Sequence, residues 1–264
     1  MKEVNSATPE AIRPAAQYGD VGAALATAIA GIAEQHQPSR HAFFRKLREL
    51  RPEVARDPDL LGQIHLVYQA AMHATRAAVY MMPHLDSPAL RKRKLTIFID
   101  DDGLPGGDTH HYQLTRAFKN LGAKCVLGDE EFGSAEELGR HLDPDTARFA
   151  RLAAKLYARS LGPWCVVEVM SDCWMRALAD ALAVHFPDVV NEPYFAECFS
   201  QGVEERHAEE ALEVTGIVLR RRPELYSETV ADAKLMAEAL DGVWNRLGRL
   251  VTTAELACRT QRAA

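Results

Sequence analysis

The sequence predicts an all-α protein built as one helical domain. Three observations carry this. Apolar residues recur at helical spacing from Val21 almost to the end of the chain. Gly and Pro gather between these periodic segments and not inside them. At most one stretch has a convincing strand pattern. The chain of 264 residues is long enough to bury a substantial core. No linker rich in Gly, Ser or Pro divides its middle, and no internal repeat is visible.

Residues 1–20 mix Asn, Ser, Thr, Pro and Gly without periodicity and read as a loose tail, so the domain spans residues 21–264. Residues 21–35 are Ala-rich, which favours helix. Residues 41–50 place Phe43, Phe44, Leu47 and Leu50 on one helical face. Residues 60–82 form a long amphipathic helix that Pro83 ends. Residues 88–99 read as another helix, interrupted by the Asp- and Gly-rich stretch 100–108. Residues 109–121 are helical and close on Gly122, a suitable residue after a helix C-terminus. Residues 124–133 are loop or a short extended piece. Helices 134–141 and 145–160 open on Ser-Ala-Glu-Glu and Asp-Pro-Asp, residues that cap helix N-termini. Three long helices follow, over 163–186, 192–221 and 223–251. This makes about eight to ten helices in all.

Composition narrows the function classes. Apolar residues make up 47% and charged residues 26%, which excludes disorder over most of the chain. The apolar runs break before the ~18–20 residues that a membrane span needs. The net charge of −6 argues against a nucleic-acid partner. Residues 1–17 lack a basic start followed by an apolar run, so no signal peptide is expected. The five cysteines, Cys125, Cys165, Cys173, Cys198 and Cys258, are scattered and form no C-x-x-C pair. A reduced, cytoplasmic protein is the simplest expectation.

Three segments carry possible chemistry. Asp100-Asp101-Asp102 followed by His110-His111 sets carboxylates beside imidazoles, the ligands that hold iron, manganese or zinc. The other reading of this segment is a helix end, a Gly-rich loop and an Asp/Thr cap. Glu168 lies inside an otherwise apolar helix, with Trp164, Cys165, Ser171 and Asp172 as helical neighbours. A lone Glu there is expensive to bury unless paired or bound to a cation; the alternative is a place at the rim of the apolar face. Glu204 and His207 form an E-x-x-H pair, whose two side chains share one helix face. Such pairs recur in helical bundles that hold two iron or manganese ions, and also on solvated helix faces. Glu197 precedes Glu204 by seven residues, two helical turns, and so lies on the same stripe.

The order and spacing of these residues resemble the haem-oxygenase-like di-iron oxidases and oxygenases, over roughly residues 38–220. That family pairs an acidic residue with a His seven to ten positions later, has a Glu far downstream, and ends on a helix carrying His-x3-Asp-x2-His. Asp101 and His111, ten apart, fit the first pair; Glu168, a further 57 residues on, fits the lone Glu; Glu204 and His207 fit the last helix. The opening stretch around His41 and the helix bearing Tyr68 look like the family's first helices. In one position the chain departs: Ser200 stands where the first His of the last motif belongs. One iron then has a poorer ligand set, and Glu197 or His73 could complete it.

The resemblance implies a haem-oxygenase-like bundle with Asp101, His111, Glu168, Glu204 and His207 as metal ligands. Glu168 and Glu204 are the residues nearest the chemistry. It implies Fe(II), either two ions with the second held weakly or, given Ser200, one ion alone, and O2 as co-substrate. It implies a small substrate derived from an amino acid, which is N-oxygenated, desaturated or cleaved at a C–C bond in a biosynthetic pathway, and leaves the external electron donor unidentified. Val166, Val169, Met170, Phe195 and Phe199 would wall the site from water. Arg76 and Arg116 could clamp a substrate carboxylate. Two other readings stand beside this one. The first is a metal-free member of the same fold, a thiaminase-like hydrolase using Cys165 or Cys198 or a cofactorless oxidase. The second is a helical binding protein with no catalysis. A homodimer through the last long helix is plausible.

Overall fold

The computed structural model describes residues 19–101, 108–125, 142–199 and 202–263, with side chains for all of these but 19, 20, 70, 72–77, 98–101 and 263. The tail 1–18, most of the Asp/Gly interruption, the segment 126–141 with its expected helix, and Ser200 lie outside the described residues. The described residues form helices and 3₁₀ turns and no strand. None of these helices is long and apolar enough to cross a membrane.

Eleven α-helices are described: α1 (Gly19–Gln35), α2 (Ala42–Glu49), α3 (Pro52–Ala55), α4 (Pro58–Arg76), α5 (Pro88–Asp101), α6 (His110–Asn120), α7 (Pro144–Arg159), α8 (Gly162–Ala183), α9 (Pro193–Cys198), α10 (Val203–Arg221) and α11 (Tyr226–Ala263). Caps set several of these starts. The Thr109 hydroxyl accepts from Tyr112 N at the start of α6, and Asp143 accepts from Asp145 N and Thr146 N at the start of α7. Proline stands in the first turn of α3, α7, α8 and α9, where its missing N–H costs nothing.

Helix α8 is apolar on nearly all sides, from Trp164 and Val166 to Leu178 and Leu182, and such a helix belongs at the centre of a bundle. It packs against α11, α10, α2 and α1. Its first turn meets α11 at Gly162, where a Cβ would collide with the Thr229 carbonyl oxygen, so only glycine permits that approach. Helix α5 lies on α10, and Arg93 of α5 ties the two together through Glu210 and Glu213. Helix α6 packs on α4 and α9.

Among the boundaries that differ from the sequence reading, two have a local reason. The helix expected over 60–82 ends at Arg76, and residues Ala77–His84 continue as 3₁₀ with Pro83 inside. The tighter winding removes the clash that a proline ring makes with the carbonyl four residues earlier. The single helix expected over 192–221 is two, α9 and α10. Gly202 begins α10 at φ +66°, a left-handed conformation that breaks an α-helix and that glycine adopts without a Cβ penalty. The last helix runs on to Ala263, past the expected end at residue 251.

Candidate metal centre

Glu168 projects from the second turn of α8, and Glu204 and His207 from the first turns of α10. One ligand atom of each lies within 4.8 Å of the other two. His207 Nδ1 is 3.9 Å from Glu168 Oε2. The Glu168 side chain is 11% exposed, and Glu204 and His207 are 5% and 4% exposed, so all three are largely out of water. Two carboxylates in such a place require compensating positive charge or strong hydrogen bonds.

Both compensations are present. Trp164, one turn before Glu168 on α8, donates its indole N–H to Glu168 Oε1 at 2.8 Å. Lys94 of α5 places Nζ 3.6 Å from the same oxygen and 4.8 Å above the Trp164 ring, with its side chain 2% exposed. The Ser171 hydroxyl lies 2.7 Å from Glu204 Oε2 and 2.8 Å from the Glu168 carbonyl oxygen. It has one proton, which it gives to one acceptor at a time. Glu168 is thus gripped on Oε1, while Oε2 faces His207.

Behind Glu204 sit two fully buried phenols, Tyr68 of α4 and Tyr194 of α9, with hydroxyls 3.4 Å apart. Burial pushes the pKa of each phenol up, and the charge of Glu204 pushes the same way, so both keep their protons. The donor set of two carboxylates and one imidazole on a buried, braced platform can hold a divalent cation of the iron or manganese kind.

Glu168, Glu204 and His207 are three of the five ligands that the sequence singles out. His111 is 6% exposed on α6 but lies outside the group that closes within 4.8 Å. Its carbonyl oxygen accepts from Gln69 Nε2 at 2.9 Å and from the Thr115 hydroxyl at 2.9 Å. Asp101 ends α5, and its side chain lies outside the described residues, as do those of His73 and Arg76. Glu197 is not on the Glu204 stripe. The break before α10 leaves it on α9, where Oε2 takes a hydrogen bond from Gln113 Nε2 at 2.7 Å. Arg116 is 51% exposed, paired with Asp108 and stacked over Tyr112. The His110 ring packs edge-on against Tyr194 at 5.9 Å. Val166, Val169, Met170 and Phe195 are buried, whereas Phe199 is partly exposed with Arg176 over its ring.

Lys94 was not legible as a site residue, because it ends the basic run Arg91-Lys92-Arg93-Lys94. Its signal is positional: Leu90, Lys94 and Ile97 share one helical stripe, and all three are buried. Cys165 is wholly buried, its thiol lies 3.1 Å from Thr215 Oγ1, and burial, with the nearby Glu168 charge adding to it, pushes its pKa up to about 12, which disfavours the thiolate that a nucleophilic cysteine needs. The sequence matches no protein-family model and no curated protein.

Proposed function

We propose that the chain is a non-haem iron oxidase or oxygenase with a haem-oxygenase-like bundle, using O2 on a small, amino-acid-derived substrate. The observation that carries this reading is the convergence of Glu168, Glu204 and His207, with ligand atoms within 4.8 Å of one another in a largely buried place. Mixed carboxylate and imidazole ligation suits ferrous iron and leaves positions for other ligands. Iron bound there supplies the electrons that reduce O2.

The chain's own residues do the remaining work. Trp164 holds Glu168 Oε1, which leaves Oε2 towards His207. Ser171 steadies Glu204. Such supporting contacts orient ligands and raise affinity. Buried Val166, Val169, Met170 and Phe195 on α8 and α9 keep bulk water from the reacting groups. Tyr68 and Tyr194 present neutral hydroxyls, able to hydrogen-bond without adding charge.

Anaerobic titration with Fe(II), metal analysis and subsequent mixing with O2 test the reading. Wild-type protein retains iron and consumes O2 with a transient visible absorption. Glu168→Ala and His207→Ala retain none. Equal iron in the wild type and both variants, or none in any, would overturn it.

A further inference from the structure

A buried lysine beside a carboxylate that is meant to bind a metal is unexpected, because the two cations compete for one anion. Lys94 is almost fully enclosed, and Nζ stands 3.6 Å from Glu168 Oε1, the oxygen that also receives the Trp164 N–H at 2.8 Å. A carboxylate that bridges two metal ions through both of its oxygens gives one to each. Here Oε1 is already engaged by an ammonium and an indole, and Oε2 alone faces His207.

We propose that Lys94 is the built-in second cation of this site: its ammonium takes Oε1 of Glu168, which therefore binds metal through Oε2 alone, and the site holds one divalent ion and not a bridged pair. The ion count rests on the metal reading above. The pairing of Lys94 with Glu168 does not, and it acts in the metal-free chain too. There the ammonium is the charge that allows Glu168 to be buried. Lys94 is thus a positioning residue, acting on the metal through Glu168.

The full chain and three variants, Lys94→Met, Glu168→Gln and the double variant, separate the two parts. In chelator, Lys94→Met leaves Glu168 without its cation and melts about 5 °C below the wild type. The double variant, in which neither charge remains, regains most of that loss. A double variant that melts as low as Lys94→Met would mean that Lys94 only packs on Trp164, and would overturn the pairing. Should Lys94→Met not fold, recovery of a folded double variant gives the same answer. Equilibrium dialysis against Mn(II) then counts ions. The wild type binds one per chain, and Lys94→Met binds it about tenfold tighter, because a repelling charge is gone. Two ions per wild-type chain, or unchanged affinity in Lys94→Met, would overturn the one-ion claim. Binding of no ion by either chain would remove the metal reading and the ion count together, while the melting rescue still decides the pairing.

Discussion

Two of the buried polar regions among the described residues differ in kind. Between α5, α8 and α10, two carboxylates meet an ammonium and an imidazole: Glu168, Glu204, Lys94 and His207. Between α4 and α6 the groups are neutral: His65, Gln69, Thr115 and the His111 carbonyl. In the second region each bond can be assigned. The Thr115 hydroxyl donates to the His111 carbonyl, and Gln69 donates to that carbonyl and to Thr115 Oγ1. His65 Nε2, 3.1 Å from Thr115 Oγ1, then acts as a donor from a neutral ring. Burial, with Lys119 adding to it, pushes the His65 pKa down to about 4, which keeps that ring neutral. Burial of polar groups is therefore common to both regions. What marks the first is net charge converging on one point, which neutral hydrogen bonds cannot balance.

The largest expected effect separates the two regions by metal affinity. Glu204→Gln and His207→Ala lower Mn(II) or Fe(II) affinity by about 100-fold or more, measured by equilibrium dialysis. His65→Gln does so by less than about threefold, since the hydrogen bond of His65 goes to Thr115 in the neutral region. An equal loss in both classes would erase the distinction.

Acid stability sharpens the comparison next. The folded-state pKa of His65 lies below its unfolded value of 6.5, so the unfolded chain takes up the proton first. Its contribution is fully present above pH 6.5 and is lost as pH falls from 6.5 towards about 4. The loss reaches about 3 kcal/mol in denaturant melts. His65→Gln flattens the curve in that window. Glu213, Asp143 and Asp241 are held below their ordinary values, so they add their own losses at lower pH.

A smaller effect probes the grip on Glu168. Trp164→Phe keeps the ring packing but removes the N–H that reaches Oε1, and it weakens metal binding about tenfold with little change in melting. Smaller still is Gly202→Ala. At φ +66° an added Cβ strains the start of α10 by about 1 kcal/mol, seen as a lower denaturation midpoint.

The helices were legible because their apolar stripes are long and regular, as in α4 and α8. Their ends were less so, since these depend on single residues in tertiary context. Pro83 sits within a 3₁₀ turn and not after a helix, and Gly202 divides what the periodicity alone makes continuous. At the site, Glu168 stood out as a charge inside an apolar helix, and Glu204 with His207 as a pair on one face. Lys94 was hidden by its neighbours: Lys92 is exposed and Arg91 and Arg93 are partly so, while Lys94 turns inward on the Leu90–Ile97 stripe. Spacing along one helix cannot report which stripe another helix covers. The same limit placed Glu197 on the Glu204 face, when it belongs to α9 and bonds to Gln113.

Anomalous diffraction from crystals grown anaerobically with Fe(II) tests the central claim most directly. A single iron peak within bonding distance of Glu168 Oε2, Glu204 and His207, with Lys94 still beside Oε1, is the predicted result. An iron peak elsewhere, or none between these three side chains at full Fe(II) loading, would contradict it.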